Sequence, residues 1–517
     1  MPRSTFITLL LLAATLHAQT PAELRTAHAL ESARKTGPSA LYAFLKPMPK
    51  GGDLHLHLSG AVYAETFIRD AAADNLCFNT VTLTLVPPAK STCPDQAVPA
   101  ASALTGNQRL YDKMVNAFSV RNFVPTDGRT GHDEFFDTFD RFGALSGHHN
   151  PEWIDEILTR SAANNNQYVE IMDIPNVPGF FALAKHLTWP SPAPTTPAEL
   201  RATFDQMRET LLANGSHDQV LIARKAIHDE ESKARALEHC ATAQASPACE
   251  VTTRYIIGVI RDFAPEVLFA QFQQAFALAS EDPNEVVSIN PLRAEDWYGA
   301  RERYTLGLQM IDYFHSLHPD VLLTLHAGEL SPGLVPPEDL ANHIRQAVEL
   351  GHASRIGHGI DVLFETDPNQ LLHEMAEKHI MVEINLTSND QLNNISGKAH
   401  PLAAYRAAHV PVALSTDDEG VSRSDLTHEY VRGVLEQNLT YPDLKQMART
   451  SLEHAFLPGP SLWAAQDNFS KTAPPCAASK PLAEYPNAPC LAFLKTSQKA
   501  WQQYELEHRF AIFESKN

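Results

Sequence analysis

The chain has 517 residues, 44% of them hydrophobic and 20% charged, and carries 61 Asp and Glu against 41 Lys and Arg, a formal charge of −20. That composition is ordinary for a globular protein, and the charge argues against nucleic acid as a partner, because gripping a phosphate backbone needs clustered Lys and Arg and no such cluster occurs. Beyond the N-terminus no apolar run is long enough to span a bilayer, so no membrane span is expected.

In chain order, the first feature is Arg3 followed by the apolar run from Phe6 to Leu16 and the small residue Ala18. This pattern predicts a signal peptide over residues 1–18 and an exported protein, periplasmic or extracellular. Eight short apolar segments follow: Gly52 to Leu58, Tyr168 to Ile174, Arg254 to Arg261, Glu285 to Leu292, Val321 to Ala327, Arg355 to Val362, Ile380 to Thr387 and Val410 to Thr416. Helical patterns lie between several of them, at Pro265 to Ser280, Ala300 to Leu317 and Pro337 to Leu350. Eight strands alternating with helices predict an α/β fold, a parallel (β/α)8 TIM barrel, over a doubly wound open sheet.

The spacing is uneven, with more than a hundred residues between the first two segments. Connections in such folds usually run 2–6 residues, so inserted structure is expected at about 76–130 and 176–250, within a barrel of residues 19–456. A C-terminal extension rich in Pro, Ala and Ser occupies 457–517. The six cysteines form three pairs close in sequence, which in an exported chain suggests disulfides Cys77 with Cys93, Cys240 with Cys249 and Cys476 with Cys490. Six cysteines allow 15 pairings, so proximity is a guide only. All three pairs fall in the additions and leave the barrel strands alone.

The polar residues cluster where the strands end. In "DLHLHL", alternation puts His55 and His57 on one face and the leucines on the other. "LTLHAGE" supplies His326 and Glu329, "RIGHGID" supplies His358, and "LSTDDEG" supplies Asp417 and Asp418. Taken singly, His326 reads equally as a core histidine, Glu329 as a helix N-terminal carboxylate and the Asp pair as a helix cap. Four apolar strands ending in ionisable groups argue instead for one shared site, since burying imidazoles and carboxylates together needs a metal or mutual pairing. His55, His57, His326 and Asp417 make a three-nitrogen, one-oxygen set suited to zinc, with a position left for water whose pKa falls to about 7. The fourth segment lacks the lysine that a bridged pair of ions commonly uses, so one zinc per chain is expected. Glu329 is placed to transfer a proton, and His358 and Asp418 to orient water and substrate.

Together these motifs, H-x-H, H-A-G-E, G-H-G and S-T-D-D in that order from about Lys46 to Phe456, resemble the adenosine deaminase family of the amidohydrolase superfamily, in an exported bacterial-type or growth-factor-like branch. The resemblance implies that His55, His57, His326 and Asp417 bind zinc, that Glu329 protonates purine N1, that His358 holds the attacking water and that Asp418 shares a hydrogen bond with N7. Hydroxide would add at C6 and ammonia leave, converting adenosine or 2'-deoxyadenosine to inosine or 2'-deoxyinosine. Phe135, Phe136 and Phe139 resemble the family's hydrophobic lid over the ribose, while their helical spacing equally fits core packing.

The departures bear on the substrate. Ser59 stands where adenosine-specific members carry an Asp that meets the 5'-hydroxyl. Pro291-Leu292-Arg293-Ala294 replaces the fourth-strand pattern, with Glu295 kept; Asn385-Leu386 replaces Cys-Pro before Thr387-Ser388-Asn389; Met172 replaces an arginine. The leading expectation is a zinc-dependent hydrolase acting on a small purine nucleoside. Two others stand beside it, a hydrolase of another purine or amidine-like substrate and an exported nucleoside-binding protein without catalysis. The sequence is silent on oligomeric state.

Overall fold

Eight short strands, each parallel to its neighbours, frame the site: β1 (Gly52–His57), β2 (Tyr168–Asp173), β3 (Thr252–Ile260), β4 (Val286–Leu292), β5 (Thr324–Ala327), β6 (Arg355–His358), β7 (Met381–Ile384) and β8 (Val412–Leu414). They are seen in a computed structural model that describes residues 19–145, 147–480 and 486–517. The signal-peptide reading of residues 1–18 lies outside the described residues.

The strands pair in sequence order, β1 to β4 in one run and β5 to β8 in another. Two parallel bridges, Ile289 with Leu323 and Leu56 with Asp417, join the runs into a closed ring. At the second closure Asp417 N–H donates to His55 C=O at 2.8 Å and His57 N–H to Asp417 C=O at 3.4 Å, so closing the barrel sets Asp417 beside both histidines. With helices following most strands this is the expected (β/α)8 TIM barrel. Strands covered on both faces read as nearly continuous apolar runs, as these do.

Several boundaries fall short of the sequence reading, for local reasons. The sixth segment is expected to reach Val362, but β6 stops at His358 because His358 and Gly359 both take positive φ, 68° and 57°, and turn the chain out of the sheet. The seventh is expected to reach Thr387; β7 ends at Ile384 and Leu386–Asn393 is a helix. The fifth begins at Thr324, three residues later than expected, with Leu322 44% exposed ahead of it. The helix expected over Ala300 to Leu317 is two, Tyr298–Glu302 and Tyr304–Leu317, divided at Arg303, whose guanidinium donates to Asp262 C=O. That expected over Pro337 to Leu350 shortens to His343–Glu349 after a 3-10 turn at Asp339–Ala341.

After β1 the chain builds a three-stranded antiparallel sheet from Cys77–Asn79, Leu85–Val86 and Ala97–Pro99. Two helices before β2, Gly131–Phe142 and Asn150–Ala163, then lie at the mouth of the barrel, each lending residues to the cavity described below. Three helices, Val177–Ala184, Pro197–Ala213 and Ser216–Leu237, lie between β2 and β3. The three disulfides are those expected, Cys77–Cys93, Cys240–Cys249 and Cys476–Cys490, and all lie outside the eight barrel strands. The last helix, Gln498–Lys516, contributes Leu506, Phe510 and Phe513 to the main core and Glu514 to a buried contact with Tyr441 and Lys445. Among the described residues no helix is long and apolar enough to cross a membrane.

Candidate active site

At the C-terminal mouth of the barrel, one nitrogen from each of His55, His57 and His326 and one oxygen of Asp417 lie within 4.8 Å of one another. The hydrogen bonds around two of these rings fix where their protons are. His326 N–H donates to Asn290 Oδ1 at 3.0 Å, which identifies that atom as the oxygen, so the His326 Nδ1 that sits 2.7 Å from it must also be a donor. Nε2 of His326 is then a bare lone pair. His55 Nδ1 lies 2.6 Å from Glu383 Oε2. Burial alone would raise the Glu383 carboxyl, but Arg355 and the His55 hydrogen bond hold it at about 2, so it accepts and His55 Nδ1 donates. His55 Nε2 is left facing His326 Nε2 at 3.1 Å and Asp417 Oδ1 at 3.6 Å, with His57 Nε2 3.2 Å from the same oxygen.

Two ring nitrogens pointed at each other beside a carboxylate form a donor set that a proton or a metal ion could bridge. Burial and the neighbouring histidines push His326 well below the ordinary range, which disfavours a proton there and keeps the ring a ligand. Burial would likewise raise Asp417, but its contact with His57 and the histidines around it keep it ionised. The donor set and the outer partners Glu383 and Asn290, which orient the rings, match what zinc requires.

The remaining polar groups surround this cluster. Gly328 and Glu329 N–H donate to the two oxygens of Glu295 at 3.1 and 2.8 Å, fixing the loop after β5, and Glu295 in turn meets His343 Nδ1 at 2.6 Å. Burial, then the charges of Asp417 and Glu295, push the Glu329 carboxyl well above the usual range, which favours its protonated form. Its Oε1 lies 3.5 Å from His358 Nδ1. Asp418 is pushed up for similar reasons, burial and the adjacent Asp417, and among the described residues its Oδ1 has no hydrogen-bond partner. Gly60 is obligatory beside it, since a Cβ there would come within 1.4 Å of Asp418 Oδ1.

A longer chain of hydrogen bonds fixes the tautomer of His358. Leu402 N–H donates to His400 Nδ1 at 3.1 Å, so His400 Nε2 is the donor to Asn389 Oδ1 at 3.1 Å. Asn389 therefore turns its NH2 to His358 Nδ1, at 2.9 Å, and the His358 proton resides on Nε2, 3.8 Å from Asp417 Oδ2. Burial, opposed by Asp417, holds His358 down at about 3. His358 and Asp417 both occupy positive φ, 68° and 60°, where a non-glycine residue is strained, as is common where function dictates geometry.

Above the cluster opens a cavity of about 410 Å³. Phe135, Phe136 and Phe139 form one wall, and Phe135 is also packed in the core at 2% exposure, so both readings of the helical phenylalanines apply to it. Ser59, Asn150 and Asp173 give the cavity a polar side, and Trp153, Trp297 and Arg293 contribute near its rim, with Arg293 stacked over Trp297 at 4.8 Å. Asp173 follows Met172, which pairs with His57, so it sits one strand over from Ser59. Burial, opposed by the Ile174 backbone, pushes its carboxyl up to about 6.

Every residue singled out in the sequence for metal, proton transfer or the cavity wall thus lies in this one place. Sequence reasoning missed the supporting groups Asn290, Glu383, Asn389 and His400 and the cavity residue Asp173. A lone carboxylate or amide inside an otherwise apolar strand, as in "IMVEI" and "VVSIN", was the available signal.

Comparison with known proteins finds a family match over part of the chain. The adenosine deaminase family model matches residues 233–470, which include His326, Glu329, His358, Asp417 and Asp418. Adenosine deaminase of Escherichia coli O1:K1 / APEC is 35% identical over 136 residues, 26% of this chain and 38% of that protein, so the alignment spans well under half of the relative's length. The crystal structure of an adenine deaminase from Arthrobacter aurescens superposes with a TM-score of 0.50 at 16% identity, covering 79% of this chain and 94% of that one, a likeness of fold. Over residues 233–470, which carry β3 to β8, the chain is similar to the adenosine deaminase family.

Proposed function

We propose that the protein is an exported, zinc-dependent deaminase that hydrolyses adenosine or 2'-deoxyadenosine to inosine or 2'-deoxyinosine and ammonia. The observation that carries this reading is the buried Glu329, its carboxyl pushed up by burial, set beside a three-imidazole, one-carboxylate cluster at the floor of a cavity of nucleoside size. A binding protein has no need of a proton donor there.

His55, His57, His326 and Asp417 would hold the zinc, which when bound supplies the Lewis acidity that activates water at neutral pH. The purine enters with N1 toward Glu329 and N7 toward Asp418. Asp418, kept protonated or sharing a proton with N7, fixes the ring plane. Glu329 gives its proton to N1 as water adds at C6, and this removes electron density from the carbon under attack. His358, with its proton on Nε2, holds the water and the developing oxygen charge. The C6–N6 bond then breaks: of the water's two protons one passes to N6 and leaves with ammonia and the other restores Glu329, the proton given by Glu329 stays on N1, and the oxygen stays on C6 as a carbonyl.

At the far end Ser59, Asn150 and Asp173 suit sugar hydroxyls, with Asp173 supplying the carboxylate that Ser59 lacks. The three disulfides support an oxidising compartment, hence export. Ammonia release from adenosine, 2'-deoxyadenosine, adenine and adenosine monophosphate, with and without a chelator, tests the reading. Chelator-sensitive release fastest with the nucleosides is expected; release from none of the four overturns it.

A further inference from the structure

We propose that Asp74, His148 and His149 form a second metal site, for a divalent transition-metal cation, beside the cavity but separate from the catalytic cluster.

Asp74 caps the helix Ala64–Ala73, and the two histidines lie in the 3-10 turn Gly147–His149 that leads into the helix Asn150–Ala163. Both imidazoles converge on one carboxylate. His148 Nε2 is 3.1 Å from Asp74 Oδ1 and His149 Nε2 is 3.1 Å from Asp74 Oδ2, and the three donor atoms lie within 4.8 Å of one another. A single ion with bonds of about 2.1 Å to nitrogen and oxygen spans donors so grouped. The two rings are only 4.1 Å apart between centroids. One ion bound here would replace the two separate contacts that the rings make to the Asp74 oxygens.

The second observation concerns His149. Its other nitrogen, Nδ1, lies 3.9 Å from Asp70 Oδ1, and Asp70 is itself held by the Trp153 indole N–H, which donates to Oδ2 at 2.8 Å. A carboxylate behind one ring nitrogen while the other faces the donor cluster is the arrangement that orients metal-binding histidines. At the catalytic cluster Glu383 stands behind His55 at 2.6 Å, a hydrogen bond, whereas the 3.9 Å between His149 and Asp70 is longer than one, so Asp70 acts there as a nearby negative charge. His149 is buried to 12% side-chain exposure and fixed, whereas His148, 57% exposed, leaves a side open to solvent through which an ion and its waters enter. Soft-to-borderline ions that favour imidazole, Zn2+ above all, fit this set better than Ca2+ or Mg2+. Trp153 and Asn150 line the catalytic cavity, so an ion here would stiffen the turn that carries that wall.

Zinc stoichiometry tests the site without reference to turnover. The chain is stripped with a chelator, dialysed against micromolar Zn2+ and its metal counted by mass spectrometry, for the wild type, Asp74→Asn, His148→Ala and His326→Ala. Two zinc ions per chain are expected for the wild type, one for each of the first two variants and one for His326→Ala, with affinity for the second ion falling at least tenfold in Asp74→Asn. His148 is exposed on a turn, so His148→Ala keeps the test decisive should Asp74→Asn fail to fold. One ion per wild-type chain, or two retained by His148→Ala, overturns the proposal.

Discussion

His400 and His358 are joined through Asn389, whose oxygen takes the proton of one ring and whose NH2 donates to the other. The backbone N–H of Leu402 thereby decides, three hydrogen bonds away, that His358 carries its proton on the nitrogen facing Asp417. Asn389→Asp reverses the polarity of the link, because a carboxylate can only accept, and would force the His358 proton onto Nδ1. A fall in kcat of roughly 10²–10⁴ follows if the proton on Nε2 is needed for general acid or base work, with zinc content unchanged. His400→Ala should give a smaller loss, since Asn389 keeps its position but loses the group that orients it. Equal zinc content with unaltered kcat in Asn389→Asp would refute the relay.

Glu383 ties the metal cluster to the barrel interior. It meets His55 on one oxygen and Arg355 and Thr324 on the other, and Arg355 continues to Glu170, all fully buried. In Glu383→Gln the amide cannot hold His55 as a charged partner does, and zinc affinity should drop about 10–100-fold. Competition with a metal-indicator dye measures this directly. Loss of a buried ionic partner also leaves Arg355 short of charge, so a lower unfolding temperature should accompany the lost affinity.

Glu329→Gln keeps the shape of the residue and removes the transferable proton's acid. Turnover should fall by about two to four orders of magnitude, while zinc content and binding of a ground-state purine stay near wild type. A variant that loses binding in the same proportion would point to a structural role for Glu329.

How much of the molecule is legible in its sequence varies with the physics of each feature. The strand pattern and the candidate donors are readable, because alternation and strand-end position are local properties and His55, His57, His326 and Asp417 repeat them on separate strands. The ends of β6 and β7 are misplaced because apolar residues continue past the point where His358 and Asn385 leave the sheet, and hydrophobicity does not encode φ. Glu383 and Asn290 show only as lone polar residues in apolar strands, and they and Asn389 act through partners distant in the chain, so the contacts themselves are not readable. Asp173 is hidden differently: its meaning comes from standing beside Ser59 across the β1–β2 pairing, which register alone supplies.

That position makes Asp173 a probe of the sugar side of the cavity. A hydrogen bond to a charged group contributes about 1.5–3 kcal/mol, so Asp173→Asn should raise KM for adenosine on the order of tenfold with little change in kcat. Adenine, which has no sugar, should be indifferent to the substitution. Equal effects on adenosine and adenine would place Asp173 near the base and remove the proposed substitute for the carboxylate missing at Ser59.

A carboxyl away from the metal donors makes stability depend on pH. Glu429 is fully buried, accepts from Thr387 N–H at 3.2 Å and from the Thr387 and Ser424 hydroxyls, and has Arg432 as its nearest cation. Burial outweighs these contacts and lifts its pKa from the ordinary 4.5 to about 7. For an acid whose folded value is the higher one, folding favours the protonated form. The associated stability is therefore complete below about pH 4.5 and is lost as the pH rises through about 7. The wild type should lose stability between about pH 5 and pH 8, by a few kcal/mol at most, because each tenfold change in acidity corresponds to about 1.4 kcal/mol. Glu429→Gln, which cannot ionise, should show a flatter profile over the same interval and exceed the wild type at about pH 8. Denaturant midpoints for the two proteins across that range check this, and parallel profiles would mean that Glu429 ionises in the folded chain as readily as in the unfolded one.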